Sequence, residues 1–186
     1  MSADVTRLTL ISHGMTEAMR IARFPIDEPI EGHAAGTAVL GTTLRPDLVR
    51  VAPEIRTGQT ARLLGLTGPA EPALGDLDCG NWAGSAMSAL APEDLMAWLG
   101  DPGYHGHGGE SVTDLIDRVR AWLDTCAPRR QRIVAVTHPA VVRASILIAL
   151  SAPPESFWRI DIPPLSATTL HSRGPAWTVR HTANSL

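Results

Sequence analysis

Apolar and polar positions along the chain follow two periods. "RLTLIS" (7–12) and "RIVAVT" (132–137) are short, β-branched and apolar, as strands buried on both faces of a parallel sheet are. "DLVRVAP" (47–53) is a third strand of this kind, less purely apolar, and "TGQTARLLGL" continues it with helical periodicity. "SVTDLIDRVRAWLDTC" (111–126) places Val112, Leu115, Ile116, Val119, Trp122 and Leu123 on one helical face. Ser111 suits the N-cap of that helix, with Asp114 three residues on in a near capping box. "AVVRASILIALS" (140–151) is apolar almost all round and predicts a buried helix. The tail, "FWRIDIPPLSATTLHSRGPAWTVRHTA", predicts two or three strands around the turn "SRGP". Residues 67–110 are rich in Gly and Pro and form a long excursion with one helix over 91–99.

Strand–helix alternation predicts an α/β fold, a mostly parallel central sheet with helices on both faces. The 186 residues are expected to form a single domain over 1–186. No apolar run approaches the roughly 18 residues of a membrane span, and no secretory leader pattern opens the chain. The two cysteines, Cys79 and Cys126, form no disulfide framework or metal spacing, so free thiols and a cytoplasmic location are expected. A net charge of -3 gives no broad attraction to nucleic acid or to anionic membrane. All 16 basic residues are arginine, so any anion held by a long side-chain cation is held by a guanidinium fork.

In an open α/β sheet, ligands bind at the carboxyl ends of the strands. His13 and His138 each stand one residue beyond a predicted strand, 125 residues apart in sequence. The residues around them carry a resemblance. "LTLISHGMT", "APEIRTGQTA" with Arg56, "LGDLDCGNWAG" with Asp76, "GGESVTDLIDRVRAWL" and "VAVTHPAVVRA" stand in one order. With the turn "DEPIEGHAAG" they resemble the histidine phosphatase superfamily, the phosphoglycerate-mutase-like enzymes, over residues 8 to 144.

The resemblance implies a phosphohydrolase acting on a small phosphomonoester, free of cofactor and metal. His13 would attack phosphorus and form a phosphohistidine. Arg56 and His138 would hold the phosphoryl oxygens, and Asp76 would protonate the leaving oxygen. Gly14 would let the backbone approach the anion, and Thr16 would offer a hydroxyl. A phosphatase fits better than a mutase, because no segment reads as the insertion that closes over a mutase site. A homodimer is the assembly that the resemblance suggests.

Four positions depart from the family pattern. Ser12 replaces the arginine that precedes the nucleophilic histidine, Met19 an asparagine, Asp76 a glutamate and Pro139 a glycine. Loss of such a charged donor costs on the order of 10²–10³ in rate, by analogy with deleted oxyanion donors. Arg20 and Arg23 are the candidates to fill the place and bind substrate. The other reading is a catalytically degenerate member that binds a ligand or partner.

Further residues have plainer expectations. His105 and His107 lack the additional ligands of a metal site and are expected as loop imidazoles. Arg143 is expected in a structural ion pair. Trp82, Trp98 and Trp122 are expected in packing, and Cys79 as a small buried side chain.

Overall fold

The computed structural model of the protein describes residues 5–32, 44–174 and 176–186. The "DEPIEGHAAG" turn therefore lies outside the described residues from position 33 onward.

Strand β1 (Thr6–Ser12) leads into a one-turn helix, α1 (Glu17–Arg20), capped by the Thr16 hydroxyl. Next come β2 (Leu48–Val51) and α2 (Ile55–Leu63). The Gly- and Pro-rich excursion contains short 3₁₀ turns and α3 (Pro92–Gly100). Helix α4 (Val112–Cys126) follows, and Ser111 and Asp114 close a complete capping box at its start. Then come β3 (Arg132–Thr137), α5 (Pro139–Leu150) and two final strands, β4 (Ser166–Ser172) and β5 (Trp177–Ser185).

The strand order is β2-β3-β1-β4-β5. Pairs β1–β3 and β2–β3 are parallel, while β1–β4 and β4–β5 are antiparallel. The sheet is thus mixed, which corrects the expectation of a mostly parallel one. Strand–helix alternation stops at α5. Only four residues separate β4 from β5, and a connection that short can only reverse the chain.

Strand β3 is buried on both sides, which is why it reads as a continuous apolar run. Ile133 and Ala135 pack with Leu8, Leu10, α4 and α5, whereas Val134 and Val136 pack with Ile11, Val51 and the α2 residues Ala61 and Leu64. Leu115 is fully buried in the larger cluster. Leu115→Ala is expected to lower unfolding free energy by about 2–5 kcal/mol, read from urea denaturation. A loss below about 1 kcal/mol would mean that α4 is not anchored as described.

The parallel β2-β3-β1 unit sends three carboxyl ends to one edge, where His13 and His138 follow directly and Glu54 stands three residues beyond β2. The His13 N–H donates to the Thr137 carbonyl at 3.0 Å, and Ala52 N–H to Val136 at 2.9 Å, so the three chain ends stay in register.

Candidate active site

His13 is buried, with 4% of its surface exposed, and it lines a cavity of about 540 Å³. Its Nδ1 lies 2.7 Å from the Gly14 carbonyl oxygen. A carbonyl only accepts, so Nδ1 carries the hydrogen and the lone pair sits on Nε2. Burial, reinforced by the neighbouring His138, lowers its pKa to about 4, so the ring is neutral at ordinary pH. The two imidazoles stand edge to face with centroids 5.1 Å apart.

Fully buried His138 serves as N-cap residue of α5. Pro139 occupies the first turn of that helix, where a missing N–H costs nothing. His138 Nε2 lies 2.8 Å from Glu54 Oε2, and Nδ1 lies 3.4 Å from Asp76 Oδ2 without a formed hydrogen bond. Both ring nitrogens face carboxylate oxygens.

Arg56 is 3% exposed and donates from Nη2 to Asp76 Oδ2 at 2.8 Å and from Nη1 to the Ile26 carbonyl at 2.9 Å. Burial pushes the Asp76 carboxyl up, but His138, Arg56 and His13 together hold it below the ordinary aspartate value. In the free site Asp76 is an ionised partner of Arg56. Arg118, from α4, grips the Asp76 carbonyl at 3.2 Å and pairs with Glu110 through two 2.8 Å bonds. The same excursion is clamped at Gly80, whose φ is +51° and where a Cβ would strike the His107 carbonyl.

Sequence reasoning missed Glu54. Burial raises its pKa, but the His138 hydrogen bond and charge, with the Asp76 N–H on Oε1 at 3.0 Å, outweigh that and hold it at about 2. The signal was available: an acidic residue stands just past the third strand, two positions before Arg56.

The other named residues divide. Thr16 lines the cavity but spends its hydroxyl capping α1. Gly14 donates to Thr60 Oγ1 at 3.0 Å, and a Cβ there would press on Ile30. Gln59 accepts from the Ile30 N–H at 2.8 Å, so the Gln59-Thr60 pair is a strut between loop and helix. Ser12 is fully buried, its Oγ has no hydrogen-bond partner among the described residues, and it does not line the cavity. Arg20 is exposed, pairs with Glu31 and Glu17, and does not line the cavity either. Arg23 does line it, but is held by Glu28 at 2.9 Å and Glu17 at 3.4 Å.

Arg143 corrects the expectation of an ion pair. It donates from Nε to the Ile160 carbonyl at 2.7 Å and lines the cavity without forming an ion pair among the described residues. Cys79 also borders the cavity, and burial followed by Asp76 pushes its thiol up to about 12, so it stays protonated. His107 is buried against Trp82, while His105 is exposed near Asp114. No three potential metal ligands cluster among the described residues, and none of their helices is long and apolar enough to cross a membrane.

The model of the histidine phosphatase superfamily (branch 1) matches residues 8–185, and the chain belongs to that superfamily. Among curated proteins, it is 27% identical to the bifunctional protein Rv2228c of Mycobacterium tuberculosis over 91% of this chain and 51% of the relative. The chain thus spans about half the length of the curated relatives it matches. Among solved structures, Bacillus stearothermophilus YhfR superposes with a TM-score of 0.85 at 20% identity, covering 97% of this chain and 98% of that one. The mycobacterial glucosyl-3-phosphoglycerate phosphatase Rv2419c, in complex with VO3, gives 0.84 at 23%, covering 96% and 99%. The phosphoserine phosphatase mutant of Entamoeba histolytica, with phosphoserine, gives 0.83 at 19%, covering 96% of each chain. The superpositions, at these identities, show a shared fold.

Proposed function

We propose that the protein is a phosphohydrolase that cleaves a small phosphomonoester through a phosphohistidine on His13. The observation that carries this reading is the Gly14 carbonyl on Nδ1, which leaves the neutral His13 with a free Nε2 beside Arg56 and a second histidine. Relatives in fold that are named as phosphatases, with VO3 or phosphoserine bound, support the same chemistry.

Nε2 attacks phosphorus and the bond from phosphorus to the leaving oxygen breaks. Charge on the three phosphoryl oxygens is met by Arg56 and His138. The leaving oxygen takes a proton from Asp76. Asp76 is ionised in the free site, so it acquires that proton when substrate binds. The dianion competes for Arg56 and adds negative charge nearby, and both changes raise the carboxyl pKa. Water then attacks phosphorus, Asp76 takes its proton, the P–N bond breaks, and phosphate leaves a neutral His13. Arg56, His138, Asp76 and His13 carry the steps, with Thr16 and Arg23 on the substrate side of the cavity.

The test is a pH profile of kcat/KM on 4-nitrophenyl phosphate, with acid-labile phosphate on His13 located by mass spectrometry. Only the neutral imidazole is a nucleophile, and a lowered pKa keeps it neutral to more acid pH. Corrected for ionisation of the substrate, the acid limb should therefore fall through about pH 4. A limb near the ordinary histidine value of about 6.5 would reject His13 as the buried nucleophile.

A binding-only reading draws on Ser12, which offers neither charge nor a cavity-facing hydroxyl. Binding of inorganic phosphate without turnover of any phosphomonoester would favour it.

A further inference from the structure

Three arginines line the cavity. Arg23 is neutralised by Glu28 and Glu17, and Arg56 by Asp76. Arg143 is different: its Nε is tied to the Ile160 carbonyl, and its two terminal nitrogens make no hydrogen bond among the described residues. Its guanidinium carbon lies 5.6 Å from the Trp158 ring centroid and 5.8 Å from that of Phe157, which hold the fork in place. Burial lowers its pKa, opposed by the charges of Asp161 and Asp76, and neither carboxylate pairs with it. A partly buried cation whose two neighbouring carboxylates form no ion pair with it has lost hydration that a bound anion would replace.

The surroundings indicate where on a substrate that anion would be. Arg143 belongs to the wall built by Trp158, Ile162 and Pro163, and Trp158 packs on Trp98 at 4.3 Å between centroids. Phe24 and Met87 add further apolar surface to the same cavity. His13, Arg56 and Asp76 form the other charged group of the cavity, joined through the Arg56–Asp76 bond, and the Asp76 charge acts on Arg143 as well. The geometry points to Arg143 as the docking cation for a second anionic group, a carboxylate or phosphate, on a phosphomonoester whose organic part is apolar. This rests on the phosphohydrolase reading above and names its substrate class. The arginine fork would hold the second anion, the aromatic wall would cover the apolar body, and the phosphoryl group would reach His13.

Matched phosphonates test it by binding alone, read calorimetrically. Benzylphosphonate is compared with 4-carboxybenzylphosphonate, and a two-ring biphenyl pair repeats the comparison at greater length. In the wild type, the carboxylate should tighten binding by about 10- to 100-fold in at least one pair, the range of a charge-assisted hydrogen bond. Arg143→Gln should remove most of that gain while benzylphosphonate binds as before, and Arg143→Lys should keep part of it. The wild-type comparison stands even if the variants fold poorly without the Ile160 bond. If plain phosphonates bind and the carboxylate adds nothing at either length, the role of Arg143 is overturned and the phosphohydrolase reading survives. If no phosphonate binds, that reading falls and takes this inference with it.

Discussion

Replacing His13 with alanine is expected to lower kcat/KM on any phosphomonoester the protein hydrolyses by a factor on the order of 10⁴ or more, as removal of a covalent nucleophile does. The fold should survive, because the side chain contributes one hydrogen bond, to its own neighbour Gly14, and that is worth about 1 kcal/mol. The loss should appear in kcat rather than KM, since Arg56 and the cavity walls that hold the substrate are unchanged. Two neighbouring groups are poorly placed to take over. The Cys79 thiol is held protonated, with its pKa near 12, and Asp76 is tied to Arg56. Single-turnover kinetics with His13→Ala and wild type side by side decide the matter. Retained turnover in the variant would remove the phosphohistidine from the mechanism.

The fold was legible in the sequence wherever one element decided its own pattern. Strand β3 reads as six apolar-rich residues because both its faces are covered, and α4 announces its start through Ser111 and Asp114. What failed was pairing direction. Whether β4 lies parallel or antiparallel to β1 depends on a partner far away in the chain, and nothing in "SATTLHS" encodes it. The candidate site shows the same division. His13 and His138 could be read from strand ends, Arg56 and Asp76 from the motifs of the family resemblance, and the structure brings the four together. Charge pairing could not be read. Arg20 and Arg23 stand as candidates for the place of the missing arginine, yet each finds a glutamate brought close by the turn after α1. Arg143 is expected in an ion pair, yet it bonds the Ile160 carbonyl beside Trp158 and forms no ion pair among the described residues. A sequence lists charges, but only the folded chain pairs them.

Glu54→Gln should have the next largest effect, lowering kcat by about 10²–10³ if His138 is the second phosphoryl donor. Glu54 contacts no reacting atom in the mechanism above; it positions His138. Its Oε2 receives the His138 Nε2 hydrogen while its Oε1 receives the Asp76 N–H, so one carboxylate fixes the second histidine and the acid loop. Glutamine keeps the length and loses the charge. It can offer one amide oxygen to one of the two donors, and its NH₂ then faces the other. His138 is fully buried, so water cannot replace the lost partner. Glu54→Asp keeps the charge but shortens the reach, and should therefore recover more activity than Glu54→Leu. KM should move little in every case, because Glu54 does not line the cavity. Thermal melts beside the kinetics separate positioning from damage to the fold. A kcat unchanged in Glu54→Gln would show that neither the charge on Glu54 nor the placement of His138 matters to the chemical step.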